Sequence, residues 1–147
     1  MYVIVMIFIE IIPNLWIGNS EITKNIDKLN INCVINCCKD LHFLGRYNEY
    51  VVSIKNNLEK YEIVKMYEYL NETVDFIYKN LNNDKNILVY CESGNQKSPT
   101  VICAYLIKYG KITKEEAIKS IRSKHESAFY PDINFDMSLE MFQNNYI

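Results

Sequence analysis

Proline and glycine are scarce, at three and four residues in a chain of 147. With hydrophobic residues at 49%, that scarcity excludes a disordered, low-complexity or collagen-like chain. An excess of one charge is also lacking. Sixteen Lys and Arg stand against 18 Asp and Glu, a net charge of −2, which argues against a nucleic-acid binder held by broad phosphate electrostatics but leaves room for a local basic site. The two histidines, His42 and His125, stand far apart and read as isolated surface residues. No C-x-x-C pair occurs among Cys33, Cys37, Cys38, Cys91 and Cys103, so neither a metal nor a cofactor is expected. The odd cysteine count, with Cys33 and Cys37 in an apolar run, fits buried thiols in a reducing compartment, cytoplasmic or nuclear. A bilayer-length apolar run is absent as well. Residues 1–12 are apolar but short, carry Glu10 and have no basic stretch before them, so they read as a core or edge strand and no membrane contact is expected.

What is present suits one domain over residues 1–147, long enough to bury a core without staples. Residues 3–12 and Leu15–Ile17 read as strands parted by the Pro13-Asn14 turn. Ser20 is positioned to cap a short helix ending near Asn30. Cys33–Cys37, Tyr50–Ile54 and Ile87–Val89 are short apolar runs of the kind found in buried strands. Met66, Leu70, Val74, Ile77 and Leu81 recur at spacings of four and three, one face of a helix over 63–81. A further helix opens near Ser98-Pro99. Thr113-Lys-Glu-Glu116 predicts a capping box for a helix to about Lys124, and Phe135, Leu139 and Phe142 mark a last short amphipathic helix. Strands alternating with helices predict an α/β fold with a central, mainly parallel sheet flanked by helices.

In such a sheet ligands bind at the carboxyl ends of strands, and Val89-Tyr90-Cys91 runs from a strand end straight to a helix start. The loop reads Tyr90-Cys91-Glu92-Ser93-Gly94-Asn95-Gln96-Lys97-Ser98-Pro99. A short strand-to-helix loop turns its N–H groups inward, and with the helix dipole it holds an anion such as phosphate or sulfate and stabilises a thiolate. Glu92, Ser93, Gly94, Asn95, Gln96 and Lys97 are therefore the candidate phosphate-binding residues. Gly94 permits a tight backbone, Lys97 adds positive charge, and Ser98 can donate to the Cys91 sulfur.

This pattern resembles the H-C-x-x-G-x-x-R-S signature of the protein tyrosine phosphatases, and its surroundings resemble the dual-specificity branch. Ile12-Pro-Asn-Leu-Trp-Ile-Gly18, Cys33-Val-Ile-Asn36, Pro99–Leu106, Thr113–Lys124, Tyr130-Pro131 and Phe135 are similar to that branch in order and spacing. The resemblance implies a cysteine that forms a phosphocysteine, an arginine that grips two phosphate oxygens, and an aspartate on another loop that protonates the leaving group. Cys91, Gly94 and Ser98 match.

Three positions depart. Lys97 stands for the arginine and offers a point charge where a planar fork is expected; one lost charge-assisted hydrogen bond costs roughly 1.5–3 kcal/mol. Tyr90 stands for the histidine that orders the loop. In the segment Lys55–Glu62, Asn57 matches the aspartate, and an amide cannot protonate a leaving group, a loss of about 10²–10⁴-fold. Glu59 and Glu62 are the substitutes the segment offers. The candidate catalytic set is thus Cys91, Lys97, Ser98 and Asn57. Three readings follow: a pseudophosphatase binding a phosphorylated protein or peptide or a signalling partner, a slow phosphatase using Cys91, and a thiol-redox or sulfur-transfer centre. A Cys38–Cys91 disulfide belongs to the last. Cys103 reads as core, Tyr47, Tyr50 and Tyr61 as lying near the mouth of the site, and Arg122 with Lys119 and Lys124 as a solvated helix face. Nothing in the sequence specifies an oligomeric state.

Overall fold

The computed structural model describes residues 5–38 and 47–146; His42 lies outside them. Five strands form one sheet in the order β1-β2-β5-β3-β4: β1 Phe8–Ile12, β2 Leu15–Gly18, β3 Cys33–Asn36, β4 Asn48–Val51 and β5 Ile87–Tyr90. β1 pairs antiparallel with β2 across the Pro13-Asn14 turn, where Asn14 takes a φ of 70°. The pairs β2–β5, β5–β3 and β3–β4 are parallel. The apolar N-terminal stretch therefore contributes an edge strand, as expected.

Among the described residues there are four α-helices: α1 Lys60–Asn82, α2 Lys97–Lys108, α3 Lys114–Lys124 and α4 Asp136–Gln143. Their apolar faces cover one side of the sheet. Met66, Leu70, Val74 and Ile77 of α1 are fully buried in the same cluster as Val101, Ala117, Leu139 and the sheet residues Ile17, Ile35 and Val89. Strand alternation sends Val34, Leu88 and Tyr90 to the opposite side, where they pack with Ile22, Ile26 and Cys38. That side is covered by 3₁₀ turns at Ser20–Lys24 and Ile26–Lys28, not by the expected helix. Nor does Ser20 cap it. Asn19 holds the cap position, and its side chain instead accepts from Ile7 N–H and donates to the Val5 carbonyl.

The predicted buried strand at Tyr50–Ile54 is displaced toward the N-terminus. β4 is an edge strand whose residues are exposed or half-buried, whereas Val52 and Ile54, beyond it, are fully buried. The capping box is present as predicted: the Thr113 hydroxyl accepts from Glu116 N–H, and the Glu116 carboxylate accepts from Thr113 N–H, each at 3.1 Å. Its reciprocal bonds satisfy two otherwise orphan donors. Lys114 then ties α3 to α4 through Glu140 at 2.6 Å and Asp136 at 2.9 Å. Against the burial that would lower its pKa, those two carboxylates hold it above the ordinary lysine value.

The strand order places β5 between β2 and β3. Its carboxyl end therefore opens at the middle of the sheet, where a chain leaving the layer meets the helix side. Cys91 N–H donates to the Gly18 carbonyl and Cys37 N–H to the Tyr90 carbonyl, so both neighbours hold the strand end in place.

Candidate active-site loop

Residues 91–96 bridge β5 and α2, and Cys91 sits at the floor, only 1% exposed. Gly94 N–H donates to its sulfur at 3.2 Å, Ser98 N–H lies 3.4 Å away, and the Ser98 hydroxyl is 3.2 Å away. Three polar groups thus converge on one sulfur at the start of a helix. Gly94 adopts a φ of +76°, and a Cβ at that position would stand 3.1 Å from the Gly18 carbonyl oxygen. Only glycine meets both demands without strain.

The loop is braced from behind. Ser20 gives its backbone N–H and its hydroxyl to the Glu92 carbonyl, each at 3.3 Å. His125, read from sequence as a surface residue, is buried, with ring Nε2 2.8 Å from the Gly94 carbonyl. That contact fixes the direction of the peptide whose neighbouring N–H reaches Cys91. A histidine with no sequence partner gave no such signal, because its partner is a backbone carbonyl 31 residues away. Phe129 N–H donates to the Asn95 carbonyl at 2.7 Å, and Ser127 donates to the Asn95 side chain at 3.0 Å. Arg122, expected on a solvated face, donates to the Ala128 and Phe129 carbonyls and so holds that brace.

The candidate phosphate-binding side chains are thereby sorted. Asn95 faces the 127–129 segment. Gln96 donates to the Tyr130 and Asp132 carbonyls and accepts from Asn134 N–H, so its amide is spent on the 130–134 loop. Ser93 accepts from Asn95 N–H, an internal loop turn. Lys97 is buried, with Nζ 2.9 Å from the Ile54 carbonyl and 2.8 Å from a Glu92 carboxylate oxygen.

An open pocket of about 400 Å³ lies over Cys91, lined by Lys55, Asn56, Cys91, Glu92, Ser93, Gln96 and Lys97. Asn57 does not line it. Its side chain accepts from Glu59 N–H at 3.1 Å, an Asx turn that opens α1. Glu62 is buried and accepts from Lys55 N–H at 3.0 Å, bracing the pocket wall without facing the pocket. Glu59 is exposed at the helix start. Lys55 and Asn56, which sequence reasoning passed over, form the wall, and Asn134 donates to Asn56 at 2.9 Å. The expected tyrosines stand away from the pocket: Tyr47 donates to Asp27, Tyr50 donates to Glu72 on α1, and Tyr61 is exposed on the first turn of α1.

Tyr90 points to the far side of the sheet, fully buried among Val34, Leu88 and Cys38. Burial first, then the nearby Cys38 and Glu49, pushes its phenol well above the ordinary value, so it stays neutral. All five cysteines are free. Cys37 and Cys38 are both buried, one on each side of the sheet, and burial, followed by nearby charges, pushes Cys38 up to about 12. Cys103 is core, its thiol raised chiefly by burial. Among the described residues no cluster of His, Cys, Asp and Glu could hold a metal ion, and no helix is long and apolar enough to cross a membrane.

Residues 15–145 match the dual specificity phosphatase, catalytic domain family. The human dual specificity protein phosphatase 1 is 26% identical over 144 residues, 95% of this chain but 38% of its own length. A putative tyrosine phosphatase of invertebrate iridescent virus 6 is 25% identical over 134 residues, covering 91% of this chain and 90% of its own. Among solved structures, the human tyrosine phosphatase-like serine/threonine/tyrosine-interacting protein superposes with a TM-score of 0.81 at 18% identity, over 95% of this chain and 97% of its own.

Proposed function

The chain belongs to the dual specificity phosphatase catalytic-domain family, and on that premise we propose that it acts as a pseudophosphatase, a module that binds a phosphorylated protein or peptide at the loop around Cys91. One observation carries the reading. The cation at the arginine position, Lys97, is tied to the Ile54 carbonyl and to Glu92, while Asn57, at the acid position, is turned into a helix start. The backbone half of an anion site remains, with its N–H groups aimed at the floor and Lys97 lining the pocket beside it, and binding needs only these groups. Turnover needs a proton donor at the leaving oxygen as well. The five free thiols support a cytoplasmic or nuclear setting.

A second reading is favoured by a specific feature: the Cys91 sulfur receives the contacts a nucleophile needs, from Gly94 and Ser98. In this reading the chain is a slow phosphatase that passes through a phosphocysteine on Cys91. Turnover of phenyl phosphate by wild type, by Cys91→Ser and by a Lys97→Arg/Asn56→Asp variant separates the two, read beside phosphotyrosine- and phosphothreonine-peptide binding. The binding reading expects no Cys91-dependent turnover in wild type, turnover in the double variant, and peptide binding that Lys97→Ala weakens. Cys91-dependent turnover by wild type gives the place to the enzyme; absence of any phosphopeptide binding removes the pocket as the binding surface.

A further inference from the structure

The pocket over Cys91 already contains an anion. Of its described lining residues, Glu92 alone carries a carboxylate, and this lies 2.8 Å from Lys97 Nζ. The two partners differ in exposure. The Lys97 side chain is 4% exposed and anchored by its bond to the Ile54 carbonyl, whereas the Glu92 side chain is 51% exposed. An exposed carboxylate paired with a buried ammonium is the partner that can move away. The Glu92 backbone stays where it is, because its carbonyl accepts from both the Ser20 N–H and the Ser20 hydroxyl.

We propose that Glu92 is an internal competitor for the phosphate site: its carboxylate occupies Lys97 in the free protein and must swing out when a phosphate dianion enters. This rests on the reading of the loop as an anion pocket and adds a threshold to it. Among the described lining residues, Lys55 and Lys97 bring two positive charges and Glu92 cancels one, so an incoming dianion meets like charge at close range unless the side chain leaves. A ligand with two charges on one phosphate outbids a single carboxylate at Lys97. A singly charged ligand gains little by the exchange.

The test uses inorganic phosphate at pH 7.5, titrated into wild type, Glu92→Gln and Glu92→Gln/Lys97→Met by calorimetry. It runs beside the alkylation of Cys91 by iodoacetate (anionic) and iodoacetamide (neutral), read by mass spectrometry. Glu92→Gln is expected to bind phosphate about tenfold more tightly than wild type, the size of one charge-assisted contact released. That gain is expected to vanish in the double variant, and the iodoacetate-to-iodoacetamide rate ratio to rise in Glu92→Gln alone. Equal phosphate affinity in wild type and Glu92→Gln, or a gain that survives loss of Lys97, overturns the inference. If no variant takes phosphate, the anion-pocket reading falls. The alkylation ratio needs no bound phosphate and still decides whether Glu92 screens Cys91.

Discussion

The two walls of the pocket are built by different rules. The wall made by residues 91–98 is fastened from three directions, by Ser20 from the far side of the sheet, His125 from behind and the 127–134 segment through Asn95 and Gln96. Its sulfur-facing geometry is the product of these bonds, and the buried one, from His125 to the Gly94 carbonyl, costs free energy to leave unmade. Along the opposite wall, residues 54–62, Asn57 and Glu62 spend their side chains on the wall's own backbone, at Glu59 N–H and Lys55 N–H, while Asn56 accepts from Asn134. The first wall is shaped to meet a ligand, and the second to start a helix. An anion site can stand on the first wall alone, and general acid catalysis needs the second to reach inward.

The sharpest way to break that comparison is to put an aspartate on each side of the turn. In a Lys97→Arg background, Asn56→Asp, at a position lining the pocket and still able to accept from Asn134, is expected to raise phenyl phosphate turnover about a hundredfold, the low end of general acid effects. Asn57→Asp in the same background is expected to change it less than about twofold, because its carboxylate would cap Glu59. Equal gains would mean that the turn is not held as described.

Gly94→Ala attacks the fastened wall. With φ at +76° and the Gly18 carbonyl 3.1 Å from the new Cβ, it is expected to destabilise the fold by about 1–3 kcal/mol and to abolish phosphate binding, checked by thermal melting and titration. His125→Ala removes the brace from the Gly94 carbonyl and is expected to cost about 1–3 kcal/mol, the penalty for a buried acceptor left unpaired. It should weaken phosphate binding while leaving the far-UV spectrum unchanged.

Smaller effects sharpen the contrast at its margins. The folded state holds the Cys38 thiol up at about 12, through burial first and then the nearby Glu92 and Cys91. An unfolded cysteine ionises near pH ~8.5, so stability from the neutral thiol is complete below that pH and is lost as pH rises toward 12. Cys38→Ala should flatten the alkaline limb of a pH-melting series. Smallest is Thr113→Ala, which breaks the capping box far from the pocket and should lower stability by about 1 kcal/mol with phosphate affinity unchanged.

Much of this molecule was legible in the order of its residues. The period of Met66, Leu70, Val74 and Ile77 marks a helix face and is met by full burial. The apolar run Ile87–Val89 marks a buried strand, and Thr113 with Glu116 marks a helix start; all are local, set by bond geometry over a few residues. Cys91, Gly94 and Ser98 belong to the same class, since a strand end, a tight turn and a helix start fall within eight residues. Where the sequence misled, the side chain's hydrogen-bond partner was not the one the motif implied. Ser20 reads as a cap until the Glu92 carbonyl takes its hydroxyl, and Asn57 reads as the acid's counterpart until the backbone of Glu59 claims it.

By itself, then, the sequence determined the α/β layering, the place of the loop and the chemistry of each side chain along it, because periodicity and turn geometry act over short spans. Only the tertiary structure decided what those side chains face. His125 on a carbonyl, Gln96 on the 130–134 loop and Tyr90 in the far core are choices between partners remote in sequence. Burial settles such choices, because a polar group taken out of water must find its partner wherever the fold has brought one.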